Sequence, residues 1–301
     1  MTVNASVKLL EKVLPSTVHI HARVPQDHAS AQILGAERMG SGALIDPNGY
    51  ILTVSYVVIG AESLQVTLLD NTQYEAEIAA SDFTSGLAAL KIPGKGLPHL
   101  PLQSSAELHS GDEVFMVASV AEEGRRVNGG GIISLGPFDA YWEYCLDRAI
   151  TVTAMNPGLG GGPLFDMVGR MVGVVSLNLN EVGKFSLAIP VEYFTEHKDE
   201  LLRYGRRASR PSRAWLGMYS YTFRDHIVVA GLLPDGPGDK AGLKSGDVIL
   251  AIDGQEVSDR RQLYNQLWSH RAGETISFRV FRNNAVRTIQ VVSGNVEKFF
   301  G

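Results

Sequence analysis

Apolar and polar residues alternate in short runs along most of the first 190 or so residues, with turn-forming clusters between them. Thr17-Val18-His19-Ile20-His21-Ala22-Arg23-Val24 has the period of two expected of a half-buried strand. Similar runs recur at Gly42 to Ile45, Tyr50 to Thr53, Leu64 to Leu69, Tyr74 to Ala80, Leu87 to Ile92 and Glu113 to Ala118. They continue at Gly131 to Leu135, Ile150 to Thr153, Met171 to Leu177 and Phe185 to Ile189. Asp46-Pro47-Asn48-Gly49 and Asp166-Met167-Val168-Gly169 carry turn chemistry. Many short strands at this spacing predict a sandwich or a pair of barrels. A short amphipathic helix is expected over Ser6 to Leu14, ended by Pro15, and a second over Val191 to Arg203.

The pattern changes after residue 203. Residues 204–213 are basic, carry Pro and Ser, lack apolar periodicity and read as a solvated linker. From Ala214 the pattern becomes mixed: strands at Trp215 to Tyr221, His226 to Leu232 and Asp247 to Ile252, a turn at Asp253-Gly254, and a helix at Asp259 to Ser269. Two further strands follow, at Thr275 to Arg282 and Val286 to Val292. The expected division is 1–203, a linker at 204–213, and a small α+β module at 214–301.

Composition narrows the function classes. With 27 Lys and Arg against 32 Asp and Glu, the net charge is −5, so the chain lacks the electrostatic footprint of a nucleic-acid binder. No run reaches the roughly 18 apolar residues of a membrane span. The one cysteine, Cys145, excludes an internal disulfide and is read as a structural thiol. The N-terminal residues lack the pattern of a signal peptide, which leaves a cytoplasmic chain or a removed targeting segment open. Gly129-Gly130-Gly131 is read as a turn, since no Lys-Ser or Lys-Thr follows to make a phosphate loop.

The most specific run is Gly236-Pro237-Gly238-Asp239-Lys240-Ala241-Gly242-Leu243-Lys244-Ser245-Gly246-Asp247-Val248-Ile249-Leu250-Ala251-Ile252-Asp253-Gly254. It resembles the circularly permuted PDZ domains attached to bacterial-type proteases. That resemblance implies a peptide-binding site, in which a short loop presents N–H groups to a peptide C-terminus and the peptide adds as a strand. Trp215-Leu216-Gly217-Met218 stands at the loop position, while Leu263 and Leu267 pack the following helix or line its groove.

The first part resembles the HtrA/Deg family of trypsin-like serine proteases, which implies a mainly β fold: a trypsin-like double six-stranded β-barrel before the PDZ domain. The resemblance rests on Met39 to Thr53, on Asn156-Pro157-Gly158-Leu159-Gly160-Gly161-Gly162-Pro163-Leu164, and on Ala188-Ile189-Pro190-Val191. The family's reaction needs a hydroxyl, an imidazole and a carboxylate. Leu52-Thr53-Val54-Ser55-Tyr56-Val57-Val58 stands at the "L-T-x-x-H-V-V" motif, with Tyr56 in place of the histidine. Ser85-Gly86-Leu87-Ala88-Ala89-Leu90-Lys91 stands at "T-D-L-A-V-L-K", with Gly86 in place of the aspartate, and Gly160 takes the serine position.

These positions lead to the expectation of a catalytically inactive pseudoprotease: no catalytic residues, no cofactor, no metal, and an adaptor, scaffold or regulatory role through the PDZ domain. The implied partners are peptide or protein C-termini, an active HtrA relative and further copies of the chain in a homotrimer; the implied location is periplasmic or otherwise extracytoplasmic. Two alternatives stay open. One is a metal- or ligand-binding derivative of the fold, for which His19 and His21 share a strand face, although the reading preferred for them is a solvent face. The other is a serine endopeptidase using unrecognised residues; Ser41, Ser55 and Ser176 lie in no recognisable nucleophile loop.

Overall fold

The computed structural model describes residues 3–180 and 183–301. Met1 and Thr2, part of the N-terminal stretch considered for targeting, lie outside the described residues. The chain divides into two compact units: Met1–Gly136 with Asp147–Ser209, and Pro137–Leu146 with Arg210–Gly301. No helix among the described residues is long and apolar enough to cross a membrane.

The first unit opens with α1 (Val3–Val13) and a 3-10 turn at Leu14–Ser16, then β1 (Thr17–Arg23), α2 (Ala29–Leu34), β2 (Glu37–Leu44) and β3 (Tyr50–Val54). It continues with α3 (Ser55–Val58), β4 (Ser63–Thr67), β5 (Gln73–Glu75), β6 (Glu77–Asp82) and β7 (Leu87–Lys91). These strands form a seven-stranded sheet in the order β5-β4-β1-β2-β3-β7-β6. Its two outer strands are separated in the chain by Ala76 alone, so the sheet curls back on itself. Val18, Ile20, Ile51, Leu52 and Leu90 are fully buried in it. Its β2–β3 turn is built by the Asp46 carboxylate, which accepts from the N–H groups of Asn48 and Tyr50 at 3.0 Å each.

Next come β8 (Glu113–Ser119), β9 (Arg125–Ala140), β10 (Tyr144–Val152), β11 (Pro163–Asp166), β12 (Met171–Asn178) and β13 (Ser186–Pro190), a closed barrel ordered β10-β13-β12-β11-β8-β9. Here the glycine run departs from expectation. Gly129, Gly130 and Gly131 lie within β9 and pair with Phe115, Val114 and Glu113, because β8 supplies an apolar partner strand across the ladder. A Cβ at Gly130 would collide with Thr153 and Ala154, so the close approach of neighbouring backbone explains a glycine there better than a turn does. The helix expected over Val191 to Arg203 is two helices, α4 (Glu192–Thr195) and α5 (Lys198–Tyr204), interrupted at His197.

The second unit contains β14 (Met218–Phe223), β15 (His226–Leu232), α6 (Pro237–Lys240), β16 (Val248–Ile252), β17 (Gln255–Glu256), α7 (Arg260–Trp268), β18 (Thr275–Arg282), β19 (Ala285–Val292) and α8 (Val296–Phe300). Its sheet runs β14-β15-β16-β18-β19, leaving β14 at one edge, with β17 paired to β16. Asp253 and Gly254 turn the β16–β17 hairpin with φ of 46° and 80°, the left-handed pair of a two-residue hairpin loop. Asp259 caps α7, its Oδ1 accepting from the Gln262 N–H at 2.8 Å. Leu216, Ile227, Ile249, Leu263, Tyr264, Leu267 and Phe278 form the core.

Candidate functional site

The short helix α3 begins where β3 ends and carries Tyr56. The phenol hydroxyl donates to the Ser176 carbonyl at 2.8 Å, and burial pushes its pKa up to about 12. It is therefore protonated across the neutral range and has no capacity to act as a base there. A Cβ built on Gly160 would collide with that same hydroxyl and lie 3.0 Å from the Ser176 carbonyl. Tyrosine at 56 and glycine at 160 are thus fitted to each other. Gly86 has φ 74°, a conformation that favours glycine, and its carbonyl accepts from the Ser55 N–H at 2.8 Å.

The 156–162 loop is held from beneath by side chains that sequence reasoning did not assign to it. Ser41 donates its hydroxyl to the Leu159 carbonyl at 2.7 Å and receives the Ser119 N–H at 2.8 Å. Its own N–H donates to the Gly160 carbonyl at 2.7 Å, and the Leu159 N–H donates to the Ser119 carbonyl at 2.8 Å. Ser119 Oγ also lies 2.8 Å from His19 Nδ1 and 2.9 Å from the Ala121 carbonyl. One hydroxyl proton serves those two neighbours, so it points either to Ala121 or to an unprotonated Nδ1. Ser119 is fully buried and His19 is 2% exposed. Burial, with Arg125 nearby, holds the imidazole below its ordinary pKa.

His19 therefore does not lie on the solvent face expected for it. β1 packs beside β8, which closes over that residue. His21, two residues along, pairs instead with Glu37 at 2.5 Å.

In the second unit, Trp215 to Met218 form a loop entering β14, with Gly217 at φ 74°. The N–H groups of Leu216 and Met218 donate to the Glu143 carboxylate at 3.0 and 2.8 Å, and the Gly217 N–H adds to the set. Trp215 packs on Phe299 and Phe300, with ring centroids 4.7 and 5.8 Å away. Leu263 and Leu267 lie on α7 and are fully buried in the core. Cys145 is half-buried and packs against that core. Glu143 itself carried no sequence signal: it is 73 residues from Leu216 and lies between β9 and β10.

Comparison with known proteins adds the following. Residues 40–174 match the trypsin-like peptidase domain model and residues 204–292 the PDZ domain model. A protein of Ectopseudomonas mendocina named "Probable periplasmic serine endoprotease DegP-like" is 32% identical over 279 residues, 87% of this chain and 57% of its own length. A protein of the same name in Halomonas elongata is 32% identical over 85% of this chain and 56% of its own length. The chain thus spans a little over half the length of these curated relatives. Among solved structures, the HtrA-type protease AlgW with a decapeptide superposes with a TM-score of 0.58 at 27% identity, covering 96% of this chain and 98% of AlgW. The serine endoprotease from Yersinia pestis gives 0.59 at 25% identity, covering 98% of each chain.

These findings correct the expectation of an inactive pseudoprotease adaptor that is not an enzyme. The similar proteins are named as serine endoproteases, which supports protease function. That expectation rested chiefly on Tyr56, Gly86 and Gly160, and the loss of three side chains describes those positions rather than every hydroxyl in the fold. The mainly β architecture, the trypsin-like domain and the PDZ domain place the chain in the HtrA family.

Proposed function

We propose that this chain is an extracytoplasmic HtrA-family protein that captures polypeptides in extended form, by their C-terminal carboxylate, at the Trp215–Met218 loop of its second unit. What carries the reading is the convergence of the Leu216, Gly217 and Met218 N–H groups on one carboxylate. Such an arrangement recognises a C-terminus without reference to side chains, and β14, the terminal strand of its sheet, offers main-chain pairing to the residues before it. The names of the relatives support the extracytoplasmic location, and the family resemblance supports homotrimers, which light scattering of the purified chain measures directly. The binding test is retention of a random peptide library on the immobilised full chain. Peptides with free C-termini are retained and the same library with amidated termini is not; equal retention of both refutes the reading.

A second reading concerns cleavage and is favoured by the relatives' names together with the His19–Ser119 pair. In it the first unit is a serine endopeptidase working from a hydroxyl other than residue 160. Gly160 offers no nucleophile, so any turnover has to come from elsewhere, and Ser119 is hydrogen-bonded to an imidazole. Hydrolysis of unfolded casein by the pure chain, lost in Ser119→Ala but kept in Gly160→Ala with Tyr56→Ala, supports this reading. Absence of turnover, with no labelling by a fluorophosphonate, ends it.

A further inference from the structure

The carboxylate held by the Trp215–Met218 loop belongs to the chain itself. Residues 137–146 leave β9 and return in β10, and they belong to the second compact unit rather than the first. They lie along the edge strand β14: the Ser220 N–H donates to the Tyr141 carbonyl at 2.8 Å, and Trp142 forms an antiparallel bridge with Tyr219. On the other side, α7 holds the same segment. Tyr264 Oη donates to the Ala140 carbonyl at 2.8 Å, and Arg260 Nε donates to Asp139 Oδ2 at 2.7 Å. Tyr141 packs against Tyr219 with centroids 5.9 Å apart.

Three independent features therefore coincide: main-chain pairing with a sheet edge, contact with the neighbouring helix, and a carboxylate seated in a ring of N–H groups. Together they are how a peptide adds to a sheet of this kind. We propose that residues 137–146 are a built-in competing ligand, with Glu143 acting as a surrogate C-terminus that an incoming polypeptide must displace. This rests on the reading of the 215–218 loop as the carboxylate site.

The docked segment is built to be displaceable. Glu143 sits at φ 27°, a region that non-glycine residues enter at a cost. Its carboxylate is buried among N–H donors, and burial pushes its pKa up to about 7. An external C-terminus can supply the same charge and the same strand pairing without a strained backbone. The ligands favoured are peptides with a free carboxylate preceded by aromatic residues, the pattern of Tyr141-Trp142-Glu143. Displacement would release the connector between β9 and β10.

The test uses an N-terminally fluorescein-labelled peptide, Pro-Phe-Asp-Ala-Tyr-Trp-Glu with a free C-terminus, titrated by anisotropy against the full chain. If the wild-type site is mostly self-occupied, its apparent affinity is reduced by the unoccupied fraction. Glu143→Ala, and Asp139→Ala combined with Glu143→Ala, are then expected to bind the peptide about tenfold tighter or better. The amidated peptide ending in Gln is expected not to bind. Equal affinity for wild type and both variants overturns the inference while leaving the carboxylate site intact. Absence of binding to every variant, with circular dichroism showing them folded, overturns the carboxylate site as well. Should the alanine variants fail to fold, amide exchange in the wild-type chain decides: the Leu216 and Met218 N–H groups are protected if Glu143 occupies the loop, and rapid exchange at both refutes it.

Discussion

The Tyr56 hydroxyl fills the volume that a side chain on residue 160 would need, and donates from there to the Ser176 carbonyl at 2.8 Å. The two positions are one unit of packing, so their substitutions are coupled. Gly160→Ser alone is expected to destabilise the first unit by ~1–3 kcal/mol, the usual cost of forcing extra atoms into a packed site. With Tyr56→His also present, most of that cost should disappear. A double-mutant cycle from urea titrations followed by far-ultraviolet circular dichroism measures the coupling. Additive effects would mean that the hydroxyl does not occupy this position in solution.

The buried His19 makes the first unit sensitive to acid. Its pKa in the folded chain is lowered from 6.5 by burial and by Arg125, with His21 adding to the effect and Glu122 opposing it. The unfolded chain therefore binds more protons below pH 6.5, and stability falls as pH drops through the folded pKa. This contribution is complete above pH 6.5. His19→Gln should flatten the loss of melting temperature below that pH; an unchanged slope would show that His19 is not held neutral.

Glu143 predicts the opposite slope in the second unit. Its pKa is raised from 4.5 to about 7, mainly by burial. The folded state therefore binds the extra proton between these values, and stability is fully present below pH 4.5 and lost as pH rises through 7. The groups facing it are Arg213, which draws it back towards the charged form, Tyr264, and the Arg260–Asp139 ion pair beside the same segment. Glu143→Gln should remove this slope. All three tryptophans, Trp142, Trp215 and Trp268, lie in this unit, so tryptophan fluorescence reports its unfolding selectively.

Much of the frame was legible because it rests on local signals. The alternation of Thr17 to Val24, the Asp46–Gly49 turn, and the Asp253-Gly254 hairpin each encode structure within a few residues. So do the flanks of residues 56, 86 and 160. What remained hidden depends on pairs far apart in the chain. His19 meets Ser119 across 100 positions and Glu143 meets Leu216 across 73, and no spacing rule connects such residues. Gly129 to Gly131 misled for a related reason: glycines that allow close approach of another backbone look, in isolation, like glycines that turn the chain.

Carboxylate capture by consecutive N–H groups is read most directly from backbone amide resonances. Isotope-labelled full-length chain carrying Glu143→Ala should show downfield shifts of the Leu216, Gly217 and Met218 amide protons when a peptide with a free C-terminus is added. The amidated peptide should leave them in place. Shifts confined to other residues, or identical shifts with both peptides, would contradict the account.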